Sequence, residues 1–286
     1  MSRHARIRAT ATPLVGRQRF GPTEVRQKGT RAVRLDEQTV VVTGGGRGLG
    51  AAIVRAFAAQ GARVVVDYRE SRDAAEELAA SLGEDRALAV QADVTDTEAV
   101  RQLFADAEAH FERPVTTVVN NALVDFSFDG DARAKADEIA WEAFDRQLRG
   151  SVAGAVNCMQ AALPGMRSIG FGRIVNVGTN LFQYPVVPYH DYTAAKAALL
   201  SLTRTFASDL GPDGITVNMV SGGLLRTTDA SAATPDAVFD MIAESTPLRR
   251  VTTPDEFADA ILFFASPWAR AVTGQNLVVD GGLVKD

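Results

Sequence analysis

Three consecutive valines, Val40, Val41 and Val42, run directly into Thr43-Gly44-Gly45-Gly46-Arg47-Gly48-Leu49-Gly50, and the stretch Gly48–Gln60 behind them has helical character. A buried strand, a turn almost without side chains and an immediate helix leave few architectures open. Gly44 suits the tight turn, Gly48 removes bulk where a ligand would approach, and Gly50 lets helix and strand pack closely. The free N–H groups of the helix start, reinforced by its dipole, favour an anion such as a pyrophosphate. A glycine cluster alone is also what a flexible surface turn contains. Between this strand and this helix it reads as a nucleotide-phosphate site.

The remainder of the chain repeats the opening pattern. Short β-branched or apolar runs at Gln38–Thr43, Ala62–Asp67, Ala87–Gln91, Val115–Asn120, Arg173–Val177, Thr216–Val220 and Asn276–Val279 alternate with longer stretches such as the helix Arg72–Leu82. Continuous Val and Ile runs are the mark of parallel strands covered on both faces. Alternation of this kind predicts βαβ units and a Rossmann-type, doubly wound α/β sheet. A length of 286 residues leaves room for two domains. However, no internal repeat and no linker rich in Pro, Gly or Ser divides the chain, so a single domain is expected.

Charge separates an arm from this body. Residues 1–34 hold nine Lys and Arg against one acid, Glu24; of the 30 bases and 35 acids overall, 21 and 34 remain in residues 35–286, a charge of −13. The expected division is therefore a basic, disordered arm over 1–34 and a folded domain over 35–286. An Arg-rich, acid-poor arm also suits a nucleic-acid tail or a transit peptide, but its lack of apolar periodicity favours a disordered extension. So acidic a body is expected to repel nucleic acid and anionic membranes. No run approaches the roughly 20 apolar residues of a membrane span. The one cysteine, Cys158, cannot form an intramolecular disulfide, which points to a reducing compartment, the cytoplasm. No His, Asp and Glu cluster has metal-ligand spacing, so no metal is expected.

The glycine spacing, Gly-x-x-x-Gly-x-Gly, resembles that of the short-chain dehydrogenase/reductase family, and further motifs follow in that family's order. Asp93 and Val94 in Ala92-Asp93-Val94 resemble its adenine contact. Asn120 and Ala122 in Asn120-Asn121-Ala122 resemble its segment beneath the cofactor. Tyr192-Thr193-Ala194-Ala195-Lys196 matches its Tyr-x-x-x-Lys. Val217-Asn218, Gly223 and Thr227 resemble the stretch that holds the nicotinamide amide, and Thr273-Gly274-Gln275 with Asp280-Gly281-Gly282 its C-terminal signature. The resemblance covers about residues 36–284 and implies a nicotinamide cofactor, hydride transfer to or from a carbonyl carbon, and a homotetramer with the helices after Trp141 and Tyr192 between subunits.

Tyr192 and Lys196, four apart, share one helix face. A free tyrosine has a pKa of about 10. A nearby ammonium, helped by an oxidised nicotinamide, would lower it and make the phenol a proton donor to an alkoxide. Thirteen residues before the tyrosine, where the family carries a serine, stands Thr179; it keeps the orienting hydroxyl but adds a methyl. The family's helix asparagine, part of a proton relay, is replaced by Ser151 in Leu148-Arg149-Gly150-Ser151-Val152. Leu123 replaces the glycine after Asn120-Asn121-Ala122. His190, beside the tyrosine, is given no role.

The cofactor itself is read from the end of the second strand. Asp67 there suits a ribose hydroxyl and NAD, but the family's NAD-selecting acid falls at Tyr68. Arg69 follows, and Arg47 lies inside the glycine loop; two guanidiniums suit a phosphate and tilt the reading to NADP, with NAD possible. The polar stretch Val124–Ala140 is expected to flank the cleft and Leu224–Pro247 to form a substrate lid. The leading reading is an NADP-dependent carbonyl reductase. Its best specific substrate is a 3-oxoacyl thioester on acyl carrier protein, as in fatty acid biosynthesis, a carrier whose acidity would demand a basic patch drawn from Arg149, Arg226 and Lys135. A secondary-alcohol or sugar dehydrogenase using NAD through Asp67 is the runner-up. A cofactor-binding regulator or redox sensor with weak catalysis is the alternative raised by Thr179, Ser151 and Leu123.

Overall fold

The computed structural model describes residues 32–285 except 127, 130–131, 229–230 and 233. The arm therefore lies outside the described residues up to Arg31. Val33 is already buried, and its carbonyl accepts from the Gln38 side chain.

Seven strands form one parallel sheet: β1 Thr39–Val42, β2 Arg63–Tyr68, β3 Ala87–Gln91, β4 Thr117–Asn120, β5 Gly172–Thr179, β6 Ile215–Gly222 and β7 Asn276–Val279. Their spatial order is β3-β2-β1-β4-β5-β6-β7, so this is the doubly wound sheet the sequence predicts. Because successive side chains point to opposite faces, each valine run serves two cores. Val40, Val42, Val64 and Val66 meet Ile53 and Phe57 of α1 (Gly48–Ala59) and Phe257 and Ile261 of α8 (Pro254–Ala265). Val41, Val65 and Val118 meet Leu103 and Phe104 of α3 (Thr97–Phe111), Met159 of α5 (Gly154–Ile169) and Leu199 of α6 (His190–Leu210). Most of these side chains are fully buried, each worth roughly 1.5–3 kcal/mol relative to exposure. The helices α2 (Arg72–Leu82), α4 (Trp141–Leu148) and α7 (Asp236–Ser245) complete the fold.

From β1 the chain winds outward to β2 and β3, then returns past β1 to β4 and continues the other way. The C-terminal ends of β1 and β4 thus lie side by side where the winding reverses. In open α/β sheets that crevice is where ligands bind. β5 and β6 run further than the sequence predicts, staying in register to Thr179↔Gly222. That extension carries Thr179 to the crevice.

Candidate active site

At the end of β1 the backbone turns through Gly44, at φ 61°, and enters α1 at Gly48, at φ 53°. Only glycine tolerates such values cheaply. A Cβ on Gly50 would lie 2.1 Å from the Gly44 carbonyl oxygen, so the turn is folded tightly against its own helix. α1 has no side-chain N-cap and no acid in its first turn. Its leading N–H groups are therefore open to an anion, which is the fit a dinucleotide pyrophosphate requires. Arg47 stands exposed at this rim, while Leu49 is half-buried.

Thr43 ties the turn to the segment after β4. Its hydroxyl accepts the N–H groups of Asn121 and Ala122 at 2.9 and 3.0 Å, and the Asn121 amide donates to the carbonyls of Thr43 and Gly44. Neither Thr43 nor Asn121 is among the site residues expected from sequence, although both sit inside the motifs that carry the resemblance. Asn120 donates to Asn176 on β5 at 2.8 Å, and Asn176 donates to Thr203 on α6 at 2.9 Å. This buried polar chain fixes α6, and with it Tyr192 and Lys196, against β4 and β5. Asn176 is hidden in sequence within a strand of valines.

Asp67 lies beneath the turn, not at its rim. It is 1% exposed, and one carboxyl oxygen accepts the Gly44 N–H at 3.2 Å. The other oxygen has no partner among the described residues. Burial pushes its pKa up to about 7, and the Asp93 carboxylate pushes the same way. An acid so placed supports the turn and has no free face for a ribose hydroxyl. Arg69, by contrast, is part-exposed and pairs with Asp125 at 2.9 Å and Glu70 at 2.8 Å. Half-buried Asp93 turns its carboxylate to the backbone N–H and hydroxyl of Thr95, which shapes the turn that presents Val94.

Tyr192 and Lys196 rise from the first turns of α6 and are both buried. Lys196 donates to the Val177 carbonyl at 2.8 Å, and its ammonium lies 5.8 Å from the Tyr192 ring centroid. Burial pushes Tyr192 up to about 12; a hydrogen bond from Thr179 opposes this. For the chain alone, then, burial outweighs the acidifying effect expected of the lysine. Burial also brings Lys196 down to about 8. Thr179 is buried at the end of β5, where its hydroxyl accepts the Leu181 N–H. The next residue, Asn180, donates to Asp280 at 2.9 Å, and a Cβ on Gly223 would lie 2.9 Å from that Asn180 amide nitrogen. Asp280 also accepts the N–H groups of Gly282, Leu283 and Val284. The C-terminal motif thus braces the strand end that holds Thr179.

Ser151 is buried in a π-helical segment, Arg149–Ala153, between α4 and α5. Its hydroxyl has no partner among the described residues. It lines a cavity of about 10 Å³ with Asn120, Ala122, Val94 and Lys196, about the size that holds one water. Widened π turns recur at functional sites. Phe126, in the stretch expected to flank the cleft, stacks on Tyr192 at 4.6 Å between centroids and 28° between planes. Thr227 is exposed on the excursion that leads to α7. Of the arginines expected to form a basic patch, Arg149 pairs with Asp145 at 2.6 Å and Arg226 with Asp236 at 2.8 Å. Lys135 is exposed. Among the described residues, no group of three or more His, Cys, Asp or Glu side chains gathers as metal ligands, and no helix is long and apolar enough to cross a membrane.

Asp67 gives the fold a pH dependence of known sign. Its folded pKa, about 7, exceeds its ordinary value of 3.8. The stability it lends is therefore complete below about pH 4 and lost as pH rises through 7, a loss on the order of 4 kcal/mol once it ionises. Asp67→Asn keeps an acceptor for Gly44 without the charge. Urea unfolding at about pH 5 and 8.5 should show the wild type losing far more stability than the variant over that interval. Parallel losses would place the ionisation elsewhere.

The geometry agrees with what the chain is similar to. Residues 44–284 match a family model described as enoyl-(acyl carrier protein) reductase. Versicolorin reductase 1 of Aspergillus parasiticus is 35% identical over 264 residues, covering 87% of this chain and 97% of that protein. A probable galactose dehydrogenase of Rhizobium meliloti is also 35% identical, covering 87% and 96%. A 3-oxoacyl-[acyl-carrier-protein] reductase of Mycobacterium tuberculosis is 31% identical, covering 86% and 92%. A solved short-chain dehydrogenase/reductase of Serratia marcescens, a double mutant with two phenylalanines changed to tyrosine, superposes with a TM-score of 0.77 at 33% identity over 88% of this chain and 99% of that one. A strand-ending glycine turn, a buried Tyr-x-x-x-Lys pair and these relatives converge on one assignment: the chain belongs to the short-chain dehydrogenase/reductase family, oxidoreductases acting on CH–OH and C=O groups with a nicotinamide cofactor.

Proposed function

We propose that this enzyme is an NADP-dependent carbonyl reductase that turns a ketone into a secondary alcohol through Thr179, Tyr192 and Lys196. The observation that carries the reading is the shared burial of these three side chains at the crevice where β1 and β4 end. A bound nicotinamide supplies the hydride. Thr179 holds the carbonyl oxygen by its hydroxyl. Tyr192 passes its phenolic proton to that oxygen as charge develops. With a pKa raised to about 12 the phenol is protonated at neutral pH, the form that can donate to that oxygen. Lys196, brought down to about 8, is able to return the proton near neutrality. Ser151 lies beside it, with its free hydroxyl and a cavity that admits one water.

The glycine turn, from Gly44 to Gly50, would hold the pyrophosphate. Arg47 and Arg69 would take the 2′-phosphate. Asp93 and Val94 would lie against the adenine, Asn120 and Ala122 beneath the nicotinamide ribose, and Gly223 and Thr227 near the amide. Buried Asp67 weakens the runner-up, an NAD enzyme that reads the ribose through this acid. As for substrate, Arg149 and Arg226 are engaged by their own acids, which weakens the case for an acidic acyl carrier. The aromatic surroundings of Tyr192, namely Phe126, Phe128 and Tyr189, favour a free carbonyl compound with an apolar or aromatic body. The 3-oxoacyl thioester remains the second reading, favoured by the mycobacterial relative.

The buried thiol of Cys158, pushed up and inert, suits the cytoplasm. Trp141, 67% exposed and stacked on Phe144, suits a homotetramer in which α4 is covered by a partner subunit.

Tyr192→Phe should lower kcat on the best substrate by about 10²–10⁴-fold with NADPH binding retained. Full activity in that variant would refute the mechanism, and a panel of aromatic ketones, sugars and 3-oxoacyl thioesters would rank the substrates. Arg69→Ala should weaken NADPH but not NADH in fluorescence titrations, by about tenfold for a lost phosphate contact. Equal effects on both cofactors would count against NADP. Sedimentation at micromolar protein should give four times the chain mass, and Trp141→Glu should lower it.

A further inference from the structure

We propose that Arg69 is shared between two anions, the Asp125 carboxylate and the 2′-phosphate of a bound dinucleotide, and that its transfer from one to the other uncovers Tyr192. This rests on the NADP reading above and makes Asp125 a determinant of cofactor selectivity.

The geometry begins with the sheet. Arg69 directly follows β2, and Asp125 lies five residues past the end of β4. β1 runs between those two strands and ends in the glycine turn. The ion pair between Arg69 and Asp125 therefore passes over the crevice in front of that turn. The residue after Asp125 is Phe126, whose ring lies face to face on Tyr192. Arg133 pairs with Asp191 and sets its guanidinium 4.5 Å over the Phe126 ring. Phe126 is thus held on the Tyr192 ring by Arg133 directly and by Arg69 through the neighbouring Asp125.

These anchors differ in strength. Asp191 is 3% exposed at its side chain, so the Arg133 pair is sheltered from water. Arg69 and Asp125 are 36% and 55% exposed, and Arg69 also touches exposed Glu70. An exposed carboxylate pair is worth little. A phosphate monoester carries close to two charges and matches the planar guanidinium with more oxygens. Arg69 should exchange Asp125 for it readily. A dinucleotide without the 2′-phosphate offers Arg69 no competing anion, so the Asp125 pair opens less often and Phe126 is released less. Cofactor choice and access to the phenol become one event.

The test uses adenosine 2′,5′-bisphosphate, which carries the phosphate but no nicotinamide, with 5′-AMP as control. Calorimetry on the wild type, Arg69→Ala and Asp125→Asn measures affinity, and amide hydrogen exchange over residues 121–126 measures release. Asp125→Asn should bind the bisphosphate about two- to fivefold more tightly, the range an exposed pair supplies, and bind 5′-AMP as before. The bisphosphate should speed exchange over 121–126 in the wild type, 5′-AMP should not, and Asp125→Asn should exchange fast without either. If the wild type holds the bisphosphate no better than 5′-AMP, the NADP reading falls and this proposal with it. If the wild type prefers the bisphosphate through Arg69, but Asp125→Asn changes neither affinity nor exchange, the shared arginine alone is refuted.

Discussion

One threonine hydroxyl holds the two halves of the site together. Thr43, fully buried at the end of β1, accepts two N–H groups from the segment after β4 and donates to the Val119 carbonyl at 3.3 Å. Without the hydroxyl the part-buried Ala122 N–H would lose its partner, at a cost of about 1–3 kcal/mol, while the Asn121 N–H and the Val119 carbonyl would still meet each other at 3.1 Å. More than stability depends on it. The glycine turn and the Asn-Asn-Ala segment belong to opposite windings of the sheet, and Thr43 sets the distance between them. Nucleotide half and catalytic half meet at that spacing.

Electrostatics at the site follow from burial more than from pairing. Tyr192 is driven up and Lys196 down, so each is moved toward its neutral form. Asp67 behaves likewise under the turn. Burial thus reduces the charge these groups carry, and the uncapped start of α1 and exposed Arg47 stand as positive elements at the rim. This matters on a body of charge −13. A phosphate approaching this body would have to be held by local dipoles and guanidinium forks, since the general field opposes it.

Much of the fold is legible in the sequence because most of the strands are written as valine-rich runs (β3, Ala-Leu-Ala-Val-Gln, is the exception), and the tyrosine and lysine as a spacing. Other features depend on facing, which spacing alone does not give. Asp67 is visible as an acid at a strand end. That it points inward follows from the alternation of β2, where Val65 and Asp67 share one face and Val64 and Val66 the other. Arg69 is visible as a charge near a phosphate site, but its partner Asp125 is 56 residues away. The Arg133–Asp191 pair spans 58 residues and joins a polar loop to a helix start. β5 outruns its prediction because Gly178 has no strand propensity of its own; pairing with Ser221 carries it through. The asparagine relay from Asn120 to Thr203 joins three elements, and no local pattern announces it.

The brace between Asn180 and Asp280 has a consequence for how such a protein diversifies. The chain leaves the end of β6 at Gly223 and, after α7, α8 and β7, comes back to the same asparagine at Asp280. Along this path Leu248 donates to the Gly281 carbonyl, so the stretch carrying α7 is closed off a second time. The length and composition of the stretch carrying α7 can therefore vary between those two ties without loosening the brace itself.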